Sequence, residues 1–217
     1  MPRRPLSPEV LLERRRRILQ IATTIISTDG FEALTMRRLA RSAEMTAANL
    51  YNYYSGKDEL YLAIQMDGFE RLLTHFTAAL AKSTEPVDQL EDFVRAYVAF
   101  GRAHPETYDV MLGRNTPKYV DYIGTADEPA AAAEKRAAMA LIELCEEVVR
   151  RAARTPGVQL PHGPRILTLQ VWSMLHGVVS LLNSRVLQEV TDTPEDLVDA
   201  IVADTRAALT PPPETSA

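Results

Sequence analysis

The sequence predicts an all-α protein of about nine helices, with an N-terminal three-helix head carrying a helix-turn-helix and a larger helical body behind it. Three observations predict this. Apolar residues recur at helical spacing along most of the chain, and turn signals rich in Pro, Gly, Ser and Thr separate the runs. Charge is also divided unevenly: residues 1–57 hold ten Lys/Arg against five Asp/Glu, and the remaining residues hold 14 against 24. The whole chain of 217 residues carries −5. A basic head on an acidic body is the pattern of a surface that meets a polyanion.

The elements follow in order. Residues 1–13, with Arg3 and Arg4 among prolines, read as a flexible basic arm of the kind that enters a minor groove. From Arg14 onward, Ile18, Ile21, Ala22, Ile25 and Ile26 make one face of an amphipathic helix, and Gly30 stands where a C-terminal stop belongs. Thr35 caps a short helix, Met36–Ser42, with Leu39 and Ala40 turned inward. "AEM" is a tight turn, and Thr46 caps a third helix over residues 46–53. Ser55 and Asp58 form a capping-box pattern at the start of a long fourth helix. Short helices joined by a tight turn describe a helix-turn-helix.

In the third of these helices Leu50 and Tyr54 share an inward face, leaving Ala47, Ala48, Asn49, Tyr51, Asn52 and Tyr53 on the rest of the surface. Small residues permit close approach to a groove floor. Asparagine pairs with adenine edges, and tyrosine hydroxyls reach phosphates.

The stretch "DGFEALTMRRLARSAEMTAANLYNYYSGKDELY" resembles the DNA-binding head of the TetR family of bacterial regulators, at Gly30-Phe31, Leu34-Thr35, Leu39-Ala40, Leu50-Tyr51, Tyr53-Tyr54, Lys57 and Leu60. The resemblance implies that Thr35 meets a phosphate and that Arg37 contacts a base or phosphate. It implies that Thr46 opens the recognition helix, that Ala47, Ala48, Asn49 and Asn52 face the major groove, and that Tyr51 and Lys57 bind phosphates. Tyr53 joins this DNA-binding set. Ala48 stands where the family commonly has glycine, and Tyr54 where it commonly has phenylalanine. The segments "HPETYDVMLGR" and "VWSMLHGVVSLL" further resemble a C-terminal subgroup named for a Trp–His–Gly signature, here Trp172, His176 and Gly177.

The boundaries expected are a head over residues 14–60, a ligand-binding and dimerisation domain over 61–209 and a disordered tail over 210–217. Helices are expected at about 57–81, 87–103, 105–112, 130–154, 164–187 and 194–209. The segment 164–187 is apolar all round, as in a helix covered on both sides. It and the last helix are the expected homodimer interface, as the resemblance also implies, and two heads would then read a palindromic operator. Phe69, Phe93, Tyr97, Phe100, Tyr108, Met111, Met139, Trp172 and His176 are the candidates to line a pocket for a small apolar or aromatic inducer.

Other classes are disfavoured. No Gly-rich phosphate loop, nucleophile elbow or paired His/Glu motif suggests an enzyme, and four scattered histidines lack metal-ligand spacing. No cofactor is expected. Cys145, the single cysteine, has acidic neighbours that raise a thiol's pKa, and a lone thiol suits a reducing cytoplasm. No signal-peptide core opens the chain, and the apolar run at 166–182, interrupted by Gln170, His176 and Gly177, is short for a membrane span. The reading is a cytoplasmic repressor released from DNA by its ligand. The rival is a helical small-molecule-binding or interaction protein whose head is not used on DNA.

Overall fold

The computed structural model describes residues 7–113, 116–158, 160 and 162–207. Eleven α-helices are present among them and no strand. The chain divides into two compact units, Met1–Gly68 with Glu106–Arg136, and Phe69–Pro105 with Ala137–Ala217.

The first unit opens with α1 (Pro8–Asp29). It starts at Pro8, six residues before Arg14, because Ser7 accepts the Val10 amide at 3.4 Å and proline fits the first helical position. Residues 8–13 are therefore helical rather than part of an arm, and residues 1–6 of that predicted arm lie outside the described residues. The first ten residues of α1 are exposed, and Ile18, Ala22, Ile25 and Ile26 form the buried stripe. The helix stops at Gly30, whose φ of 89° is a conformation glycine adopts without strain.

A 3-10 turn (Phe31–Ala33) leads to α2 (Met36–Ser42), capped by Thr35 Oγ1, which accepts the Arg38 amide at 3.1 Å. A turn over residues 43–45, with Glu44 at φ 56°, gives α3 (Ala47–Leu50), and Thr46 Oγ1 accepts the Asn49 amide at 3.2 Å. This helix is shorter than the predicted 46–53, and residues 51–53 continue as a turn. α4 (Lys57–Leu80) follows. Its start is tied by Glu59, not Asp58: the Ser55 amide and hydroxyl both donate to Glu59 Oε2, at 2.6 and 2.7 Å. Ile18, Ile26, Leu34, Leu39, Leu50, Tyr54, Leu60 and Tyr61 form one buried cluster.

The same unit includes residues 106–136, which brace α4. α6 (Pro105–Tyr108) runs into a π-turn (Asp109–Gly113), and α7 (Tyr119–Tyr122) precedes α8 (Glu128–Ala153). The Tyr61 hydroxyl shares a hydrogen bond with Thr116 and donates to the Val110 carbonyl at 3.4 Å. Tyr122 donates to Asp58 Oδ1 at 3.4 Å. Gly68 is where α4 meets the π-turn: a Cβ there would lie 2.2 Å from Met111 Sδ.

The second unit contains the end of α4, α5 (Pro86–Ala103), the rest of α8, α9 (Pro164–Asn183), α10 (Val186–Val190) and α11 (Pro194–Ala207). Phe76 packs on Phe93 with ring centroids 3.9 Å apart, and Leu90, Val148, Val149, Ala152 and Leu167 close a second cluster. Buried Gln89 donates to the Leu80 and Ser83 carbonyls at 3.0 and 2.9 Å and accepts from Arg151 at 2.8 Å. α11 lies on α5, with Arg95–Asp199, Arg102–Glu195 and Arg206–Asp88 ion pairs at 2.8, 3.1 and 2.7 Å. These pairs are exposed, so they fix register more than they stabilise.

The predicted helix 164–187 is not continuous. Arg185, at φ 62°, ends α9 and starts α10. α9 buries Leu167, Leu175, Val178, Val179 and Leu182 but leaves Ile166, Met174 and Leu181 at 51%, 44% and 40% exposure. By length and mean hydropathy α9 would suffice to cross a membrane. Gln170, Ser173 and His176 interrupt it, and it packs on α5 and α11. The count of eleven exceeds the nine expected by α7, a four-residue piece with no predicted counterpart, and by α10, split from the predicted 164–187. The predicted tail, 210–217, lies outside the described residues.

Candidate nucleic-acid interface

The two threonine caps present the head's outer surface. Each satisfies an otherwise unpaired amide at a helix start and fixes how that helix leaves its turn. Arg37 and Arg41 on α2 are exposed, as are Thr35, Thr46, Ala47, Ala48, Tyr51 and Asn52. Asn49 is half-buried. Tyr51 is 52% exposed, a large apolar ring left open to solvent. The predicted set thus falls on α2, on α3 with its turn and at the start of α4, and all but one of its members are exposed or half-buried.

The exception is Tyr53. Only 8% exposed, it belongs to the head core, and its hydroxyl accepts a long 3.5 Å contact from Arg14. Because α3 ends at Leu50, the turn carries the Tyr53 ring inward. Its spacing of three from Leu50 was the signal available in the sequence. Tyr54 is buried as expected, with the Arg15 guanidinium 4.8 Å from its ring centroid. Burial raises the Tyr54 phenol above its usual range. Arg14 and Arg15 of the 14–17 run thus touch the head core.

Lys57 sits at the first residue of α4, where free N–H groups and the helix dipole favour an anion. Its Nζ lies 3.4 Å from Glu32 Oε2 and 3.8 Å from the Phe31 ring centroid. Arg38 of α2 is paired with Asp29 at the end of α1. Sequence reasoning did not find these two acids as partners of the basic surface. Asp29, Gly30, Phe31, Glu32, Thr116, Pro117 and Asp121 line a cleft of about 550 Å³ beside them.

The predicted ligand residues are divided between the two units. Tyr108 and Met111 are buried in the first unit, and the other seven belong to the second. There, Phe93, Tyr97 and Phe100 are buried, Trp172 Nε1 donates to the Tyr97 hydroxyl at 3.1 Å, and Trp172 and His176 lie 6.3 Å apart. Phe69 is buried, whereas Met139 is 37% exposed. The second unit has a cleft of about 570 Å³, lined by Ile166, Leu169, Val171, Met174 and Thr205 among others, and none of the predicted residues borders it. No group of three or more His, Cys, Asp or Glu side chains able to hold a metal ion occurs among the described residues. The Cys145 thiol is pushed up to about 12, by burial rather than by its acidic neighbours, and donates to the Leu141 carbonyl.

Comparison with known proteins decides the family. The model for "Bacterial regulatory proteins, tetR family" matches residues 18–64, covering the head just described. That for "Tetracyclin repressor-like, C-terminal domain" matches residues 90–205, just over half of the chain. The chain belongs to the TetR family. Among relatives, the nucleoid occlusion factor SlmA of Haemophilus influenzae (strain PittGG) is 26% identical over 102 residues, 46% of this chain and 47% of SlmA. The HTH-type transcriptional repressor KstR2 of Mycolicibacterium smegmatis is 26% identical over 103 residues, 47% of this chain and 50% of KstR2. The chain spans about half the length of the curated relatives it matches. AibR in complex with isovaleryl coenzyme A and operator DNA shares the fold, with a TM-score of 0.66 at 19% identity, covering 92% of this TetR-family chain and 99% of AibR.

Proposed function

We propose that this TetR-family protein is a sequence-specific DNA-binding repressor that acts as a homodimer and leaves its operator on binding a small apolar or aromatic molecule. The observation that carries the reading is the exposed surface built from Arg37, Arg41, Ala47, Ala48, Tyr51 and Asn52 beside Lys57. Phosphate contacts from Thr35, Tyr51 and Lys57 would set register, and Ala47, Ala48, Asn49 and Asn52 would read base edges. This divides the chain by role into a DNA-binding head and a ligand-binding and dimerising body.

The uncovered apolar face of α9, with Ile166, Met174 and Leu181, supports pairing with a second copy, together with α11. The buried aromatics Phe93, Tyr97 and Phe100 with Trp172 support an apolar effector. The AibR complex, whose partners are isovaleryl coenzyme A and operator DNA, supports the pairing of DNA and effector on one such fold. Placement in the Trp–His–Gly subgroup rests on the segments 104–114 and 171–182, with Trp172, His176 and Gly177. In this reading the protein works in the cytoplasm as a regulator and not as an enzyme.

Fluorescence-anisotropy titration of a labelled duplex by the purified protein over a salt series tests the reading. Affinity should fall steeply as salt rises, since phosphate contacts release counterions. Absence of duplex binding at low salt would transfer support to a helical ligand-binding protein whose head is not used.

A further inference from the structure

We propose that Glu32 competes with a DNA phosphate for the Lys57 ammonium, while the Phe31 ring holds that ammonium in place through the exchange. The inference rests on the DNA-binding reading above and adds two residues to it, neither of which need touch DNA.

The two partners of Lys57 differ in how firmly they are held. Glu32 lies on the turn after α1, and its side chain is 94% exposed against 25% for Lys57. Its contact is long, 3.4 Å, and no second hydrogen bond or ion pair holds Glu32 among the described residues. An ion pair of this kind, with its carboxylate in open water, is worth little and exchanges readily. Phe31 is fixed from behind. Its ring packs edge-on against Tyr61, with centroids 4.9 Å apart at 65°, and Tyr61 is fully buried and hydrogen-bonded to Thr116 and the Val110 carbonyl. The aromatic face under the ammonium is thus set by the core of the head, and a cation over such a face is attracted to it whether or not a carboxylate is near.

The consequence is electrostatic. In the free protein Lys57 already has an anionic partner. An incoming phosphate must displace Glu32 or accept its negative charge close by, and either lowers the sequence-independent part of binding. Close by in the chain, Asp29 at the end of α1 pairs with Arg38 of α2. Two cations are therefore restrained by acids that the charge count alone makes look like incidental deductions from a basic head.

The full chain, titrated with a duplex of random sequence over a salt series, tests this. Wild type should bind with steep salt dependence, and Glu32→Gln should bind about two- to fivefold more tightly at low salt, the size an exposed ion pair carries. The gain should vanish in Glu32→Gln/Lys57→Ala relative to Lys57→Ala alone. Phe31→Leu should weaken binding, and Phe31→Tyr should restore it, at unchanged helicity. Glu32→Gln binding no tighter than a wild type that does bind would overturn the inference and leave the DNA reading standing. So would a gain that persists without Lys57, which would be a general charge effect. A wild type that fails to bind duplex overturns both.

Discussion

Thr46 Oγ1 accepts the amide of Asn49 at 3.2 Å, and this bond fixes the start of the four-residue helix on which the candidate recognition surface depends. So short a helix has little stability of its own, which makes the cap matter more than it would in a long one. Thr46→Ala should cost about 1 kcal/mol of stability, and Thr46→Ser should recover most of it. Chemical denaturation of the three proteins checks this. Equal stabilities would mean that α3 is held by packing of Leu50 alone.

Tyr51 and Asn52 are adjacent and both exposed, yet they are assigned different work. Tyr51→Phe should weaken binding to all duplexes alike, while Asn52→Ala should change preference among them, a lost base contact being worth about 1–3 kcal/mol. Competition binding with a panel of duplexes separates the two. An unchanged order of preference for Asn52→Ala would place the groove-facing side elsewhere on the turn.

The contact of Gly68 with the π-turn predicts a backbone-level constraint. An alanine Cβ there would meet Met111 Sδ at 2.2 Å and Cγ at 2.8 Å, and Met111 is itself buried. Gly68→Ala should destabilise the protein by about 1–3 kcal/mol, the usual range for overpacking, despite alanine's better helix propensity. A melting temperature equal to or above wild type would show that Met111 moves freely.

Stability should fall with pH on the acid side. Burial depresses the His176 imidazole below the usual histidine range, and burial, then Arg71 and His75, depress His104. The Arg71 guanidinium donates to His104 Nδ1 at 3.0 Å, as suits a neutral ring. As pH drops below about 6.5 the unfolded chain takes up protons that the folded state does not, so stability is lost until the folded rings protonate as well. Thermal melts between pH 7.5 and 5.5 should show this fall, shallower in His176→Gln. Comparing variants isolates His176 from Glu134, whose carboxyl burial raises. Parallel curves would remove His176 from the account.

Much of the head could be read from local chemistry. Thr35 and Thr46 precede short helices and cap them, Gly30 ends α1, and Leu39, Leu50 and Tyr54 are buried where their spacing puts them. What escaped was set by other forces. Ser7-Pro8 is a helix start, but the apolar stripe that defined the helix begins only at Ile18. Tyr53 turns inward in the turn after α3, and only its spacing of three from Leu50 hints at it. Arg185 breaks the long apolar helix in a left-handed conformation that an arginine does not advertise. The bracing of α4 by residues 106–136, and the hold of Glu32 on Lys57, are contacts between residues far apart in sequence. Residue type alone does not separate a pocket lining from packed aromatics, and Phe76 packs on both Phe93 and Tyr97.

Selection of bound sequences from a random duplex pool by the purified protein, at near-physiological salt, tests the central claim most directly. The account predicts an enriched palindrome with half-sites about one helical turn apart, roughly 34–36 Å, as two identical heads require. Recovery of no enriched sequence would contradict a sequence-specific dimeric regulator, and an enriched site without two-fold symmetry would contradict the dimer.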